Sequence, residues 1–221
     1  MDPAAPLTLF VDVYWCSPFD YSCYVALREK GLEFTTSRAV IRSGAGFLEP
    51  LRQRALIARV PALAHGDFWL SESLAVVEYL EEAFPPPEWP SLWPAELEAR
   101  ARARQIVSFV RSELGALRHE RTSWRIFYPS GSGTPVEPLG RTARIEADEL
   151  IQVTTRVLEL GEVRAWPIAG AELAFALLRL IRTGEPVPAA VAAFVADVCA
   201  RPSVRDFLDH PRPPHPPDDG R

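Results

Sequence analysis

The chain has 221 residues, 48% of them apolar, and a formal net charge of −5, which allows one or two domains with real hydrophobic cores. The acidic balance, with no Lys/Arg block to track a phosphate backbone, argues against nucleic acid as a partner. No run approaches the roughly 18 apolar residues of a membrane span and the N-terminal M-D-P-A-A-P-L lacks the regions of a signal peptide, so a cytoplasmic protein with no membrane partner is expected. Cys16, Cys23 and Cys199 cannot all pair, and their spacing fits neither a zinc site nor a disulfide framework, so no metal is expected.

In chain order, Leu7 to Tyr14 mixes β-branched and aromatic residues and predicts a strand. Asp20 to Gly31 places Tyr21, Tyr24, Val25 and Leu27 at helical spacing and closes on Lys30-Gly31, a helix with a glycine stop. Glu33 to Ile41 predicts a second strand, and Ser43 to Ala58 an irregular or short helical crossover. Val60 to Leu70, split by His65-Gly66-Asp67, predicts a β-hairpin. Ser71, Glu72 and Ser73 then read as oxygen-bearing caps ahead of a stripe of Leu74, Val77, Tyr79 and Leu80. The order is β-α-β-α-β-β-α, with the two leading strands parallel and the hairpin adding an antiparallel edge. The first turn of the last helix would offer unpaired N–H groups to a small carboxylate.

Pro85 to Pro94 holds five prolines in ten residues and predicts an interdomain linker. Beyond it the pattern is helical: Leu97, Ala101, Ile106, Val110, Leu114 and Leu117 form a stripe. Trp124 to Leu139 is irregular, and Thr142 to Leu160 is a further helix with Ile145, Ile151, Val157 and Leu158 inward. Glu172 to Ile181 and Val187 to Ala200 give two more. Arg100, Arg102 and Arg104 with Glu96 and Glu98 read as a solvated, salt-bridged face. The expected organisation is 1–84 as an α/β domain, 85–94 as linker, 95–210 as an all-helical domain and 211–221 as a disordered proline-rich tail.

Three stretches carry a family likeness. They are Ser17-Pro18-Phe19 followed by V-A-L-R-E-K-G-L, Val60-Pro61 with Ser71-Glu72-Ser73 and A-V-V-E-Y-L-E-E, and R-A-R-A-R-Q-I at the start of the helical domain. With the element order, they resemble the cytosolic glutathione transferase superfamily, and their wording is similar to its bacterial YfcF-like branch. The resemblance implies an N-terminal thioredoxin-like domain, a C-terminal helical-bundle domain, glutathione as co-substrate and a homodimer.

It also implies roles for residues. Pro61 would follow a cis peptide bond, and the Val60 main chain would pair with the cysteinyl part of glutathione. Glu72 would take the γ-glutamyl α-ammonium, and Ser73 with the helix N–H groups its carboxylate. Ser17 would be catalytic, donating its hydroxyl to a sulfur that must be held as thiolate at neutral pH. Phe19 and Arg59 lie beside this glutathione site. The activity implied is conjugation to electrophiles, reduction of organic peroxides, or both, in detoxification or oxidative stress.

Departures from the family keep alternatives open. The usual Asn-Pro pair ahead of Val-Pro is replaced by Ala55-Leu56-Ile57, leaving the glycyl carboxylate with Arg42, Arg52 and Arg59 as candidates by charge. Pro167 and Gly170 stand where the family's buried capping box is expected, with Glu172 as a substitute. The electrophile is expected near Phe19, Arg111, Trp124, Phe127 and Tyr128, whose aromatic rings suit flat apolar molecules. Tyr79, Glu82 and the arginines of the helical domain are candidate dimer contacts. The rival functions are a thiol-disulfide reductase using Cys16 and a non-catalytic binding or scaffold relative.

Overall fold

The computed structural model describes residues 2–39, 49–128 and 136–215. Residues 40 and 41 of the expected second strand, Arg42, most of the glycine-containing crossover, the S-G-S-G-T stretch and the last six residues lie outside them. Two compact units result, Met1–Trp93 with Asp209–Arg212, and Pro94–Leu208 with the remaining tail. Among the described residues no helix is long and apolar enough to cross a membrane.

The first unit has β1 (Leu7–Asp12), α1 (Pro18–Glu29), β2 (Thr35–Ala39), α2 (Glu49–Arg54), β3 (Ala62–His65), β4 (Phe68–Ser71) and α3 (Ser73–Ala83). The sheet order is β2-β1-β3-β4. β1 pairs parallel with β2 and antiparallel with β3, which pairs antiparallel with β4. This is a thioredoxin-like mixed sheet in which β3 of the hairpin lies inside, directly against β1. Leu7, Leu9 and Val11 alternate into the core, as the two-residue period of a strand requires. α1 and α3 pack on each other and on the sheet, burying Tyr21, Val25 and Leu27 from one and Val76, Val77 and Leu80 from the other.

α1 ends at Lys30 and Gly31, whose φ of +68° suits a residue without Cβ. Lys30 is not the exposed basic end its position suggests. It is 1% exposed, donating to the Phe84 carbonyl at 2.7 Å and pairing with Glu81 at 2.6 Å. Glu81 also accepts from the Leu92 N–H at 2.9 Å and from the Ser91 hydroxyl. The proline-rich stretch is therefore anchored at its end, with Leu92 and Trp93 buried.

The second unit is helical: α4 (Leu97–Ser112), α5 (Gly115–Glu120), α6 (Trp124–Phe127), α7 (Arg141–Glu159), α8 (Pro167–Ile181), α9 (Ala189–Ala200) and α10 (Pro202–Leu208), with a 3-10 turn at Val163–Ala165. α8 is apolar on almost every side and forms the centre, touching α4, α6, α7 and α9. The expected stripes hold at Ile106, Leu114, Leu117 and Val157, which are buried, and fail elsewhere. α4 buries Ala99, Ala103, Ile106 and Val107 while Leu97 is exposed, and α7 buries Ala143, Ala147, Leu150, Thr154 and Val157 while Ile145 is exposed. Small residues mark the faces where helices approach closely, so ranking positions by side-chain size misses part of the buried side. α8 begins with Pro167 at its first turn and no side-chain cap. Glu172 is no substitute cap: Arg111 holds it through two hydrogen bonds of 2.9 and 2.5 Å. The arginine-rich face of α4 is salt-bridged in part, Arg102 pairing with Glu98 at 3.5 Å and with Glu162 at 2.7 Å.

Candidate active site

β1 ends at Asp12 and the chain must reverse into α1 within five residues. Trp15 takes a φ of +53° in that turn, a conformation that a bulky residue holds only when its surroundings enforce it. Ser17 follows in extended geometry as the N-cap of α1. Its oxygen accepts the Phe19 and Asp20 N–H groups, each at 3.2 Å. The half-buried hydroxyl thus sits at the positive end of a helix, beside the Asp20 carboxyl. Phe19, the second residue of the helix, is exposed.

Cys16 differs from its neighbour. It is buried, its thiol donates to the Tyr14 carbonyl at 3.2 Å, and burial pushes it up to about 12, Arg212 opposing and Asp12 and Asp20 adding to the rise. A thiol held protonated is a poor nucleophile. Cys23 is also buried, and Cys199 is half-buried with its thiol raised by burial.

Asp20 went unnoticed in the sequence, although S-x-x-D ahead of an apolar run is a capping signal. Its carboxyl does not return to Ser17 N–H as in a capping box. It accepts the Asp12 N–H at 2.7 Å. Burial pushes it up to about 8, against the Asp12 N–H and the Ser17 hydroxyl and aided by the Asp12 charge. A carboxyl raised on folding is protonated in the folded chain and ionised in the unfolded one, so its stabilisation is complete below about 3.8 and is lost as pH rises through about 8. The stability difference between the wild type and Asp20→Asn is therefore expected to change across pH 4–8, by at most about 1.4 kcal/mol per pH unit. Denaturant unfolding of both proteins over that range measures it.

Val60 and Pro61 are joined by a cis bond. Ser71 does not cap α3; its hydroxyl donates to the Ile57 carbonyl at 2.7 Å. Glu72 stands at the N-cap with φ +71° and ψ 111°, makes no capping hydrogen bond, and faces Arg59 in an exposed pair at 3.4 Å. Ser73 is buried at the first turn, its carbonyl accepting the Cys23 thiol at 3.8 Å. The structure thus brings Arg59 to Glu72, on the segment that Val60 and Pro61 precede. A separate cavity of about 940 Å³ in this unit, lined by Trp15, Tyr24, Arg28, Phe34 and His210 among others, includes none of these residues.

In the helical unit, Trp124 lies 5.5 Å from Tyr128 and 5.2 Å from His215, and Tyr128 donates to the Pro213 carbonyl at 2.6 Å. Phe127 turns away toward Phe175 and Phe207. Arg111 is committed to Glu172, and residues 213–215, part of the tail expected to be disordered, are in contact with the aromatic pair. Among the described residues no group of three or more His, Cys, Asp or Glu side chains could hold a metal.

Comparison with known proteins agrees with this arrangement. The family model for the glutathione S-transferase C-terminal domain matches residues 96–211, and that for the N-terminal domain residues 16–83. A crystal structure of a glutathione transferase homologue from Burkholderia, with bound glutathione, superposes with a TM-score of 0.72 at 32% identity, covering 92% of this chain and 96% of that one. The human glutathione S-transferase theta-1 is 30% identical over 62% of this chain and 55% of its own length. A probable rice glutathione S-transferase is 38% identical over 33% of this chain and 30% of its own. These alignments span about half or less of the curated relatives' length. The two family models divide at the same proline-rich stretch as the two units, and the N-terminal one takes in both Ser17 and Glu72: the chain belongs to the glutathione S-transferase family.

Proposed function

We propose that the protein is a glutathione transferase in which bound glutathione is ionised and its sulfur attacks an electrophile or reduces an organic peroxide. One observation carries this most: the Ser17 hydroxyl stands at the start of α1 with its oxygen taken by two N–H groups, while the neighbouring Cys16 is buried as a thiol. That contrast disfavours the thiol-disulfide reductase. The glutathione-bound Burkholderia homologue supports the choice of ligand.

The remaining assignments belong to the same proposal. Val60 offers its main chain to the cysteinyl part, Pro61 fixes that edge, and Glu72 with Ser73 and the start of α3 takes the γ-glutamyl end. Arg59, beside Glu72, orients that carboxylate or meets a carboxylate of glutathione, and Phe19 flanks the sulfur. Trp124 and Tyr128 are the proposed electrophile contacts. A homodimer, a cytoplasmic location and kinship with the YfcF-like branch complete the reading.

Calorimetric titration with glutathione tests it. Wild-type protein binds, and Glu72→Gln, which removes a charge-assisted hydrogen bond, weakens binding about tenfold. A wild type that takes up no glutathione sinks the proposal.

A further inference from the structure

The segment Asp209–Arg212 belongs to the thioredoxin-like unit, where it clasps the turn ahead of Ser17. The His210 ring stacks on the Trp15 indole, 3.7 Å between centroids and 22° from parallel. Arg212 donates to the Trp15 carbonyl from Nε at 3.2 Å and from Nη2 at 3.1 Å, and from Nη1 to the His210 carbonyl at 2.8 Å. The guanidinium is thus fixed against the backbone two residues before Ser17.

The charges around that turn give this placement its meaning. The groups acting on the adjacent Cys16 are two carboxyls, Asp12 and Asp20, and one cation, Arg212. Asp12 closes β1 and Asp20 lies in the first turn of α1, so both strand and helix present acid to the turn. His210 is shifted toward its neutral form by burial, with Arg38 of β2 and Arg212 adding to the shift. Arg59 and Glu72 answer each other. Near neutral pH Asp20 is held protonated by its burial, so an anion placed at this turn meets the Asp12 charge at the end of β1, and Arg212 is the cation that offsets it.

We propose that Arg212, supplied from the end of the sequence, holds the sulfur of bound glutathione as thiolate beside Ser17, acting by its charge across the β1–α1 turn without touching the reacting atoms. The proposal rests on the glutathione reading above. Arg212 is a positioning and charge-supplying residue, and its effect must appear in the ionisation of the ligand.

The test titrates the ultraviolet thiolate absorbance against pH for full-length protein saturated with glutathione, comparing wild type, Arg212→Gln and Arg212→Lys. Glutamine keeps an N–H donor for the Trp15 carbonyl and removes the charge; lysine keeps the charge and loses the fork. Arg212→Gln is expected to raise the midpoint by about one pH unit, leaving roughly tenfold less thiolate below it. Arg212→Lys is expected to stay near wild type, and the glutathione Kd of both, measured below the midpoint, within about twofold. Salt should move the wild-type midpoint toward that of Arg212→Gln. A glutamine variant that titrates like wild type overturns the proposal, and so does a lysine variant shifted as far as glutamine, which would mark a packing role. Those results leave the glutathione reading standing; wild-type protein that binds glutathione with no thiolate near neutral pH overturns both.

Discussion

Ser17→Ala is expected to lower kcat for glutathione conjugation about a hundredfold, the usual consequence of removing one donor aimed at a developing or resident anion. KM for glutathione should change little, because the proposed contacts to the peptide lie elsewhere, along Val60 and at Glu72. Steady-state kinetics with a generic aromatic electrophile measures both. The same substitution removes the cap of α1, whose oxygen accepts two N–H groups at 3.2 Å, so unfolding should occur about 1 kcal/mol sooner. Rate and stability losses can be separated by Ser17→Thr, which keeps the hydroxyl and should keep most of both. Cys16→Ala is the counterpart: its thiol is buried and pushed up to about 12, and its loss should leave conjugation within about twofold. The reverse pattern, with Cys16→Ala inactive and Ser17→Ala intact, would reassign the chemistry to disulfide exchange.

The largest effect on stability is expected at Glu81. The Lys30 side chain is fully buried with Glu81 at 2.6 Å, and its other partner in the Glu81 cluster is the Phe84 carbonyl. Glu81→Ala leaves an ammonium in the core without a counter-charge and should destabilise the thioredoxin-like unit by about 3–5 kcal/mol. Replacing both residues by apolar ones of similar size, Lys30→Met with Glu81→Leu, should recover most of that, because the pair opposes its own desolvation. Urea unfolding followed by tryptophan fluorescence decides; a single variant no weaker than the double one contradicts the account. The pH dependence carries the same signature. Burial disfavours the Glu81 carboxylate, but the Leu92 N–H, Lys30 and Ser91 outweigh it and hold the group below its ordinary range. A depressed carboxyl stabilises above its unfolded value and loses that contribution as pH falls through the folded one, so Glu81→Ala should lose part of the wild-type acid limb.

The sequence displayed the fold wherever local chemistry decides it. The two-residue period of β1, the turn at His65-Gly66-Asp67 and the proline cluster each announce themselves within ten residues. Ser17 and Glu72 were legible because motif and helix start coincide there. Packing was less so: α4 and α7 present alanines inward, and nothing in a hydropathy stripe says that Leu97 and Ile145 face solvent. Lys30 read as an exposed helix end because its partner lies in α3, some fifty residues on. Arg212 was hidden by distance, since a proline-rich tail with little to bury gives no sign that one guanidinium meets the turn before Ser17. Ion pairs such as Arg111 with Glu172 are equally invisible, for they join helices whose register only the assembled core fixes.

Glu72 carries a consequence for attempts to improve the protein. Its φ of +71° is one that glycine adopts freely and that costs other residues roughly 1–3 kcal/mol. The site therefore divides two selection pressures. A screen for heat resistance alone would favour Glu72→Gly and would discard the carboxylate proposed to take the γ-glutamyl end. A screen for turnover would keep the glutamate and accept the lower melting temperature. Heat tolerance in such a protein is better sought at positions such as the exposed Leu97 and Ile145, where nothing is held in readiness for a ligand.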